Sequence, residues 1–97
     1  MRLAVSKAGF YQADFYCSDS RSAKKILNER QVSIVAIDFY LVGRDTGCDF
    51  LRWGLTKNLL PSFVVITERD RNKRIQLANT LCSGGYRSAD NTTFIKH

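Results

Sequence analysis

Two short stretches constrain this chain more than any other feature. Residues 32–39 read Val-Ser-Ile-Val-Ala-Ile-Asp-Phe and residues 62–67 read Ser-Phe-Val-Val-Ile-Thr. Both are nearly continuous apolar runs rich in β-branched side chains. A strand with one wet face alternates apolar and polar residues, whereas a run without alternation belongs in a sheet covered on both faces. Helical patterns separate and flank the two runs, so the chain must fold as strands joined by helical crossovers.

The first helical pattern places Ala23, Ile26, Leu27 and Arg30 at i, i+3, i+4 and i+7, with Lys24, Lys25, Asn28 and Glu29 on the other face. This predicts a helix over 20–30, capped by Asp19 or Ser20. Thr46 stands three residues before Asp49, a capping box with Asp in place of the usual Glu. Behind it Cys48, Leu51 and Leu55 share a face that Phe50 and Trp53 widen, while Gly54 costs about 1 kcal/mol relative to Ala. Charges from Glu68 to Arg74 lead into Ile75, Leu77, Ala78, Leu81 and Cys82, and Gly84-Gly85 supplies a stop. Thr67 reads either as a phosphoryl-binding hydroxyl or as the cap of a helix beginning at Glu68. Shorter strand candidates lie at residues 2–5, 13–17 and 92–96.

The resulting order, β-β-α-β-α-β-α-β, predicts one domain over residues 1–97. Its fold class is α/β, a small three-layer sandwich with a mostly parallel sheet, helices on both faces and flavodoxin-like topology. Ligands of such sheets bind beyond the carboxyl ends of the strands. Those ends carry Ser6, Lys7, Asp38, Phe39, Tyr40, Thr67 and Glu68.

Composition excludes several classes. No apolar run approaches the roughly 20 residues of a membrane span, and no secretory pattern opens the chain, so a cytoplasmic protein without a membrane partner is expected. Cys17, Cys48 and Cys82 are odd in number and widely spaced, which predicts buried thiols rather than disulfides or a zinc site. The single histidine is His97, so no His-based metal site or Ser-His-Asp triad is expected. The net charge is +6, yet the densest basic stretch, Arg69, Arg71, Lys73 and Arg74, is interleaved with Glu68 and Asp70. Mixed signs of this kind belong to a solvated helix face, and nucleic acid is not an expected partner. The aromatic pair Phe10-Tyr11 reads as core or contact surface.

Residues 34–67 resemble a response-regulator receiver domain. The resemblance rests on Ile37-Asp38, on Thr46-Gly47-Cys48-Asp49-Phe50-Leu51 and on Val64-Val65-Ile66-Thr67, with Phe94-Ile95-Lys96 similar to the strand that carries the receiver lysine. Nearer still is the cyclic-phosphate-processing branch of receiver-like domains, with its "DHDLG", "TGYD" and "HSAN" segments. Asp38, Leu41, Gly43, Thr46, Gly47, Asp49 and Trp53 match that scaffold. The chemical residues differ: Phe39 and Tyr40 replace the His and second Asp, Thr67-Glu68 replaces His-Ser, and Ser6-Lys7 replaces the acidic pair.

The resemblance therefore implies a receiver-like module with a degenerate active site. Its candidate pocket comprises Asp38, Thr67, Lys7, Lys96, Tyr40 and Glu68, with Lys7 expected to pair with Asp38 and Phe39 and Tyr40 filling the pocket. The expected function is non-catalytic binding or regulation through a protein partner or a small anionic ligand, with no cofactor and no metal. A homodimer is compatible with so small a core. Three rivals stay open: an enzyme that processes cyclic phosphate esters, a receiver that accepts phosphate on Asp38, and, against the charge pattern, a nucleic-acid binder that uses the Arg69–Arg74 helix.

Overall fold

The computed structural model describes residues 1–7 and 12–96, so Phe10, Tyr11 and His97 lie outside the described residues. It is an α/β fold with one mixed six-stranded sheet and three helices. In chain order the elements are β1 (Arg2–Val5), β2 (Phe15–Cys17), α1 (Ser20–Glu29), β3 (Ile34–Ile37), α2 (Gly47–Lys57), β4 (Phe63–Ile66), α3 (Arg71–Ser83), β5 (Tyr86–Ser88) and β6 (Thr93–Lys96).

The helices begin where side chains can satisfy their first amides. Asp19 accepts from the Ser22 amide at 3.1 Å and caps α1. Thr46 and Asp49 form the capping box reciprocally: the Asp49 amide donates to Thr46 Oγ1 at 3.3 Å and the Thr46 amide to Asp49 Oδ2 at 2.8 Å. The third helix starts later than the sequence predicts. Its cap is Asp70, which accepts from the Asn72 amide, and Thr67 and Glu68 precede the helix rather than opening it. Asn58 ends α2 in the left-handed conformation.

The strand order is β2-β1-β3-β4-β6-β5. The first four strands are parallel, while β6 runs antiparallel to both β4 and β5. Two corrections follow. A strand at residues 86–88, missed in the sequence, turns back through a hairpin, so the last strand enters the sheet reversed. The described helices also do not cover both faces. Register aligns Leu3, Val35, Val64 and Phe94 in one row and Val5, Ile37 and Ile66 in the next. These rows share a core with Ala23 and Leu27 of α1, Phe50 and Leu51 of α2, and Leu77 and Leu81 of α3. Helix α2 touches both α1 and α3, so the three lie side by side in one layer. Topology is the reason: β2→β3 and β3→β4 step the same way across the sheet, and right-handed crossovers then fall on one face. Among the described elements the sandwich has two layers, not three.

Phe63, on the opposite sheet face, is 45% exposed, and Tyr16 there is 52% exposed. Cys17 and Cys48 are buried as expected, but Cys82 is exposed on α3. No described helix is long and apolar enough to cross a membrane.

Candidate functional site

The in-register pairing of β1, β3 and β4 brings Val5, Ile37 and Ile66 side by side, and the ladder continues one residue further. The Asp38 amide donates to the Val5 carbonyl at 3.1 Å, and the Thr67 amide to the Ile37 carbonyl at 2.9 Å. Ser6, Asp38 and Thr67 therefore meet at the carboxyl ends of three neighbouring parallel strands. The Ser6 hydroxyl donates to Asp38 Oδ2 and the Thr67 hydroxyl to Asp38 Oδ1. Both oxygens of the half-buried carboxylate are thus engaged by hydroxyls of the same chain.

Glu68 fills the space beside this cluster. Its Oε1 accepts from the Phe39 amide at 3.0 Å, and its Oε2 accepts from the amides of Arg69 at 3.2 Å and Asp70 at 3.1 Å. Convergent backbone N–H groups make a concavity that suits an anion. Here the anion is the protein's own carboxylate, and it ties the end of β3 to the start of α3.

The loop after Asp38 is pinned at several points. The Gly47 amide donates to the Phe39 carbonyl at 2.7 Å, and the Val42 amide to the Ser18 carbonyl at 2.8 Å. Gly43 turns the loop with φ +97°, a conformation that other residues rarely adopt. Gly47 answers to a different requirement, since a Cβ there would lie 2.1 Å from the Asp38 carbonyl oxygen. Lys24 of α1 reaches Asp45 at 3.4 Å.

The six predicted site residues separate into two groups. Asp38, Thr67 and Glu68 come together as expected. Tyr40 follows Asp38 in the loop and is 52% exposed, whereas Phe39, edge-to-face with Tyr40 at 5.1 Å between centroids, is buried in the core. Lys7 is exposed and forms no ion pair with Asp38; Ser6 takes the carboxylate instead. Lys96 is at the wrong end of the sheet. Its amide donates to Ser62, before β4 begins, and its ammonium lies over the Tyr86 ring at 5.8 Å. The reversed direction of β6 is the cause. A different cation approaches the site: Lys73 Nζ sits 4.6 Å from the centroid of Phe39. Lys73 is three residues past the Asp70 cap, a spacing that becomes readable only once the helix start is known.

Carboxylates elsewhere around the fold respond to their caps. Hydrogen bonds from the Ser22 hydroxyl and amide hold Asp19 below the usual carboxylate range, and the Thr46 amide does the same for Asp49. Among the described residues no three His, Cys, Asp or Glu side chains gather as a metal ion requires.

The chain matches no protein-family model, and no curated protein is significantly similar to it in sequence.

Proposed function

We propose that the protein is a non-catalytic binding or regulatory module, related in topology to receiver domains, that contacts a protein partner at the carboxyl ends of its parallel strands. One observation carries this reading. The groups that a receiver-like site would turn toward phosphate and metal are satisfied from within: Ser6 and Thr67 hold both Asp38 oxygens, and Glu68 occupies the backbone amides. An internal carboxylate on those amides competes with any small anion, which favours a protein partner over a free anionic ligand. The strand order β2-β1-β3-β4 supports the receiver-like relation, since flavodoxin-like sheets begin in that order; the antiparallel β6 departs from it. Free thiols suit a reducing compartment such as the cytoplasm.

The adjacency of Asp38 and Thr67 favours one second reading, a phosphoaccepting receiver. Intact mass after incubation with Mg²⁺ and acetyl phosphate decides between them. An unchanged mass is the expected result. A gain of one phosphoryl group that disappears in Asp38→Asn would overturn the non-catalytic reading.

A further inference from the structure

The hairpin that displaces Lys96 also builds something. The Ile66 amide donates to the Thr92 carbonyl at 2.8 Å, so the β5–β6 turn lies at the same end of β4 as Thr67. Helix α3 starts at that end too. Between them opens a cleft of about 340 Å³ lined by Arg71, Arg74, Ile75, Ala78 and Asn91. That size is at the lower limit of ligand-binding clefts, which span about 300–1,000 Å³.

The lining has a definite chemistry. Arg71, Arg74, Ile75 and Ala78 stand at i, i+3, i+4 and i+7, so they share one face of α3. Neither guanidinium is in an ion pair; those among the described residues join Lys24 to Asp45 and Arg52 to Asp49. The acids next in sequence to the lining accept from backbone amides: Asp70 from Asn72, and Asp90 from Thr92 and Thr93. Ile75 is 47% exposed, an apolar side chain left uncovered between two cations. Asn91 faces them from the turn with an amide that can donate or accept.

We propose that this cleft docks an acidic segment of a partner protein, with carboxylates on Arg71 and Arg74 and an apolar side chain seated on Ile75 and Ala78. Charge complementarity carries the choice of partner, since the chain has net charge +6 and these two guanidiniums are unspent. Arginine binds carboxylate through two parallel N–H bonds, and arginine beside apolar surface is characteristic of interface cores. A nucleic acid fits less well. Its affinity comes from many phosphate contacts, whereas here only two cations flank an apolar floor.

The proposal deepens the partner-binding reading but uses none of the Asp38 cluster, so the two fail separately. Phosphorylation of Asp38 would remove the non-catalytic reading and leave the cleft untouched. The test is fluorescence anisotropy with a fluorescein-labelled peptide, Glu-Glu-Leu-Glu-Glu-Leu-Glu, alongside its Lys-for-Glu counterpart and a labelled oligothymidine. Saturable binding of the acidic peptide alone is expected, weakened at least about tenfold in Arg71→Glu/Arg74→Glu and in Ile75→Asp. These side chains are on the surface, and circular dichroism checks that the variants remain folded. Absence of saturable binding, equal binding by the variants, or equal affinity for the oligothymidine would overturn the proposal.

Discussion

Replacing Gly47 by alanine is expected to disturb both the fold and the site. The added Cβ would lie 2.1 Å from the carbonyl oxygen of Asp38, 3.0 Å from its carbon and 3.1 Å from Leu77 Cδ2. Unstrained heavy-atom contacts lie near 3.5 Å, so α2 must retreat from the end of β3 by about 1 Å or more. Retreat also stretches the 2.7 Å hydrogen bond from the Gly47 amide to Phe39. Overpacking costs about 1–3 kcal/mol, and the upper end applies because the obstacle is backbone. Alanine returns at most about 1 kcal/mol through the greater conformational freedom of glycine in the unfolded chain. The net loss is about 2 kcal/mol. With a urea slope of about 1 kcal/mol/M for a small domain, the midpoint falls by about 2 M.

Trp53 reports the transition, since it stacks on the buried Phe50 with ring centroids 6.2 Å apart. Gly54→Ala is the internal control. Its Cβ would meet Leu60 Cγ at 2.6 Å and Cδ2 at 2.7 Å, a side chain that can turn aside. Alanine in mid-helix also gains about 1 kcal/mol of propensity, so the midpoint should move far less. A Gly47→Ala midpoint within error of the parent, or a larger loss in Gly54→Ala, would refute the argument that backbone proximity makes glycine necessary at 47.

Four further outcomes are expected. Asp38→Asn leaves one of the two hydroxyls facing an NH2 donor and the other with a neutral acceptor in place of a charged one, and should cost about 1.5–3 kcal/mol at pH 7 in urea unfolding; no loss would mean that the Ser6 and Thr67 bonds contribute nothing. Asp19 and Asp49 have folded pKa values below their unfolded ones, so their stabilisation is present above about pH 4 and fades as pH falls through the folded values. Asp49→Asn should therefore flatten the acid limb of a stability–pH curve. Tyr86 donates to the Pro61 carbonyl and burial pushes its phenol up to about 12, so stability holds to about pH 10 and is lost as pH rises toward 12; Tyr86→Phe should remove that dependence from alkaline unfolding curves. A thiol reagent should modify Cys82 in the native protein but Cys17 and Cys48 only after unfolding, and burial also raises the Cys17 pKa; rapid modification of all three would contradict the burial.

Local chemistry was legible where local chemistry decides. The Thr46–Asp49 capping box, the Asp19 cap and the apolar cores of β3 and β4 follow from side chains within a few positions of one another. Asp38 and Thr67 were legible for the same reason, because each ends an apolar run and parallel register places such ends together. Pairing direction was not. Residues 86–88 read Tyr-Arg-Ser, with one buried side chain and two exposed, too short and too polar to announce a strand. Without it, Lys96 is expected at the carboxyl edge; with it, β6 is reversed. The start of α3 was similarly hidden, since Thr67 and Asp70 can each cap a helix and the tertiary hydrogen bond from the Phe39 amide to Glu68 favours Asp70.

That one reversal redistributes the charges at the carboxyl end of the sheet. A parallel final strand would carry Lys96 toward Asp38. The antiparallel one takes Lys96 to the Tyr86 ring and delivers the 89–92 turn to the end of β4, where it becomes a wall facing α3. The cations left at that end are those of α3: Lys73 over Phe39, with Arg71 and Arg74 in the cleft. Lys73 lies against the Phe39 ring, whereas the two arginines line the open cleft. The same helix therefore meets the strand ends at its cap and lines the cleft along one face. Its cap end is tied to the end of β3 by Glu68, and Arg71 and Arg74, in no ion pair among the described residues, stand on the face that lines the cleft.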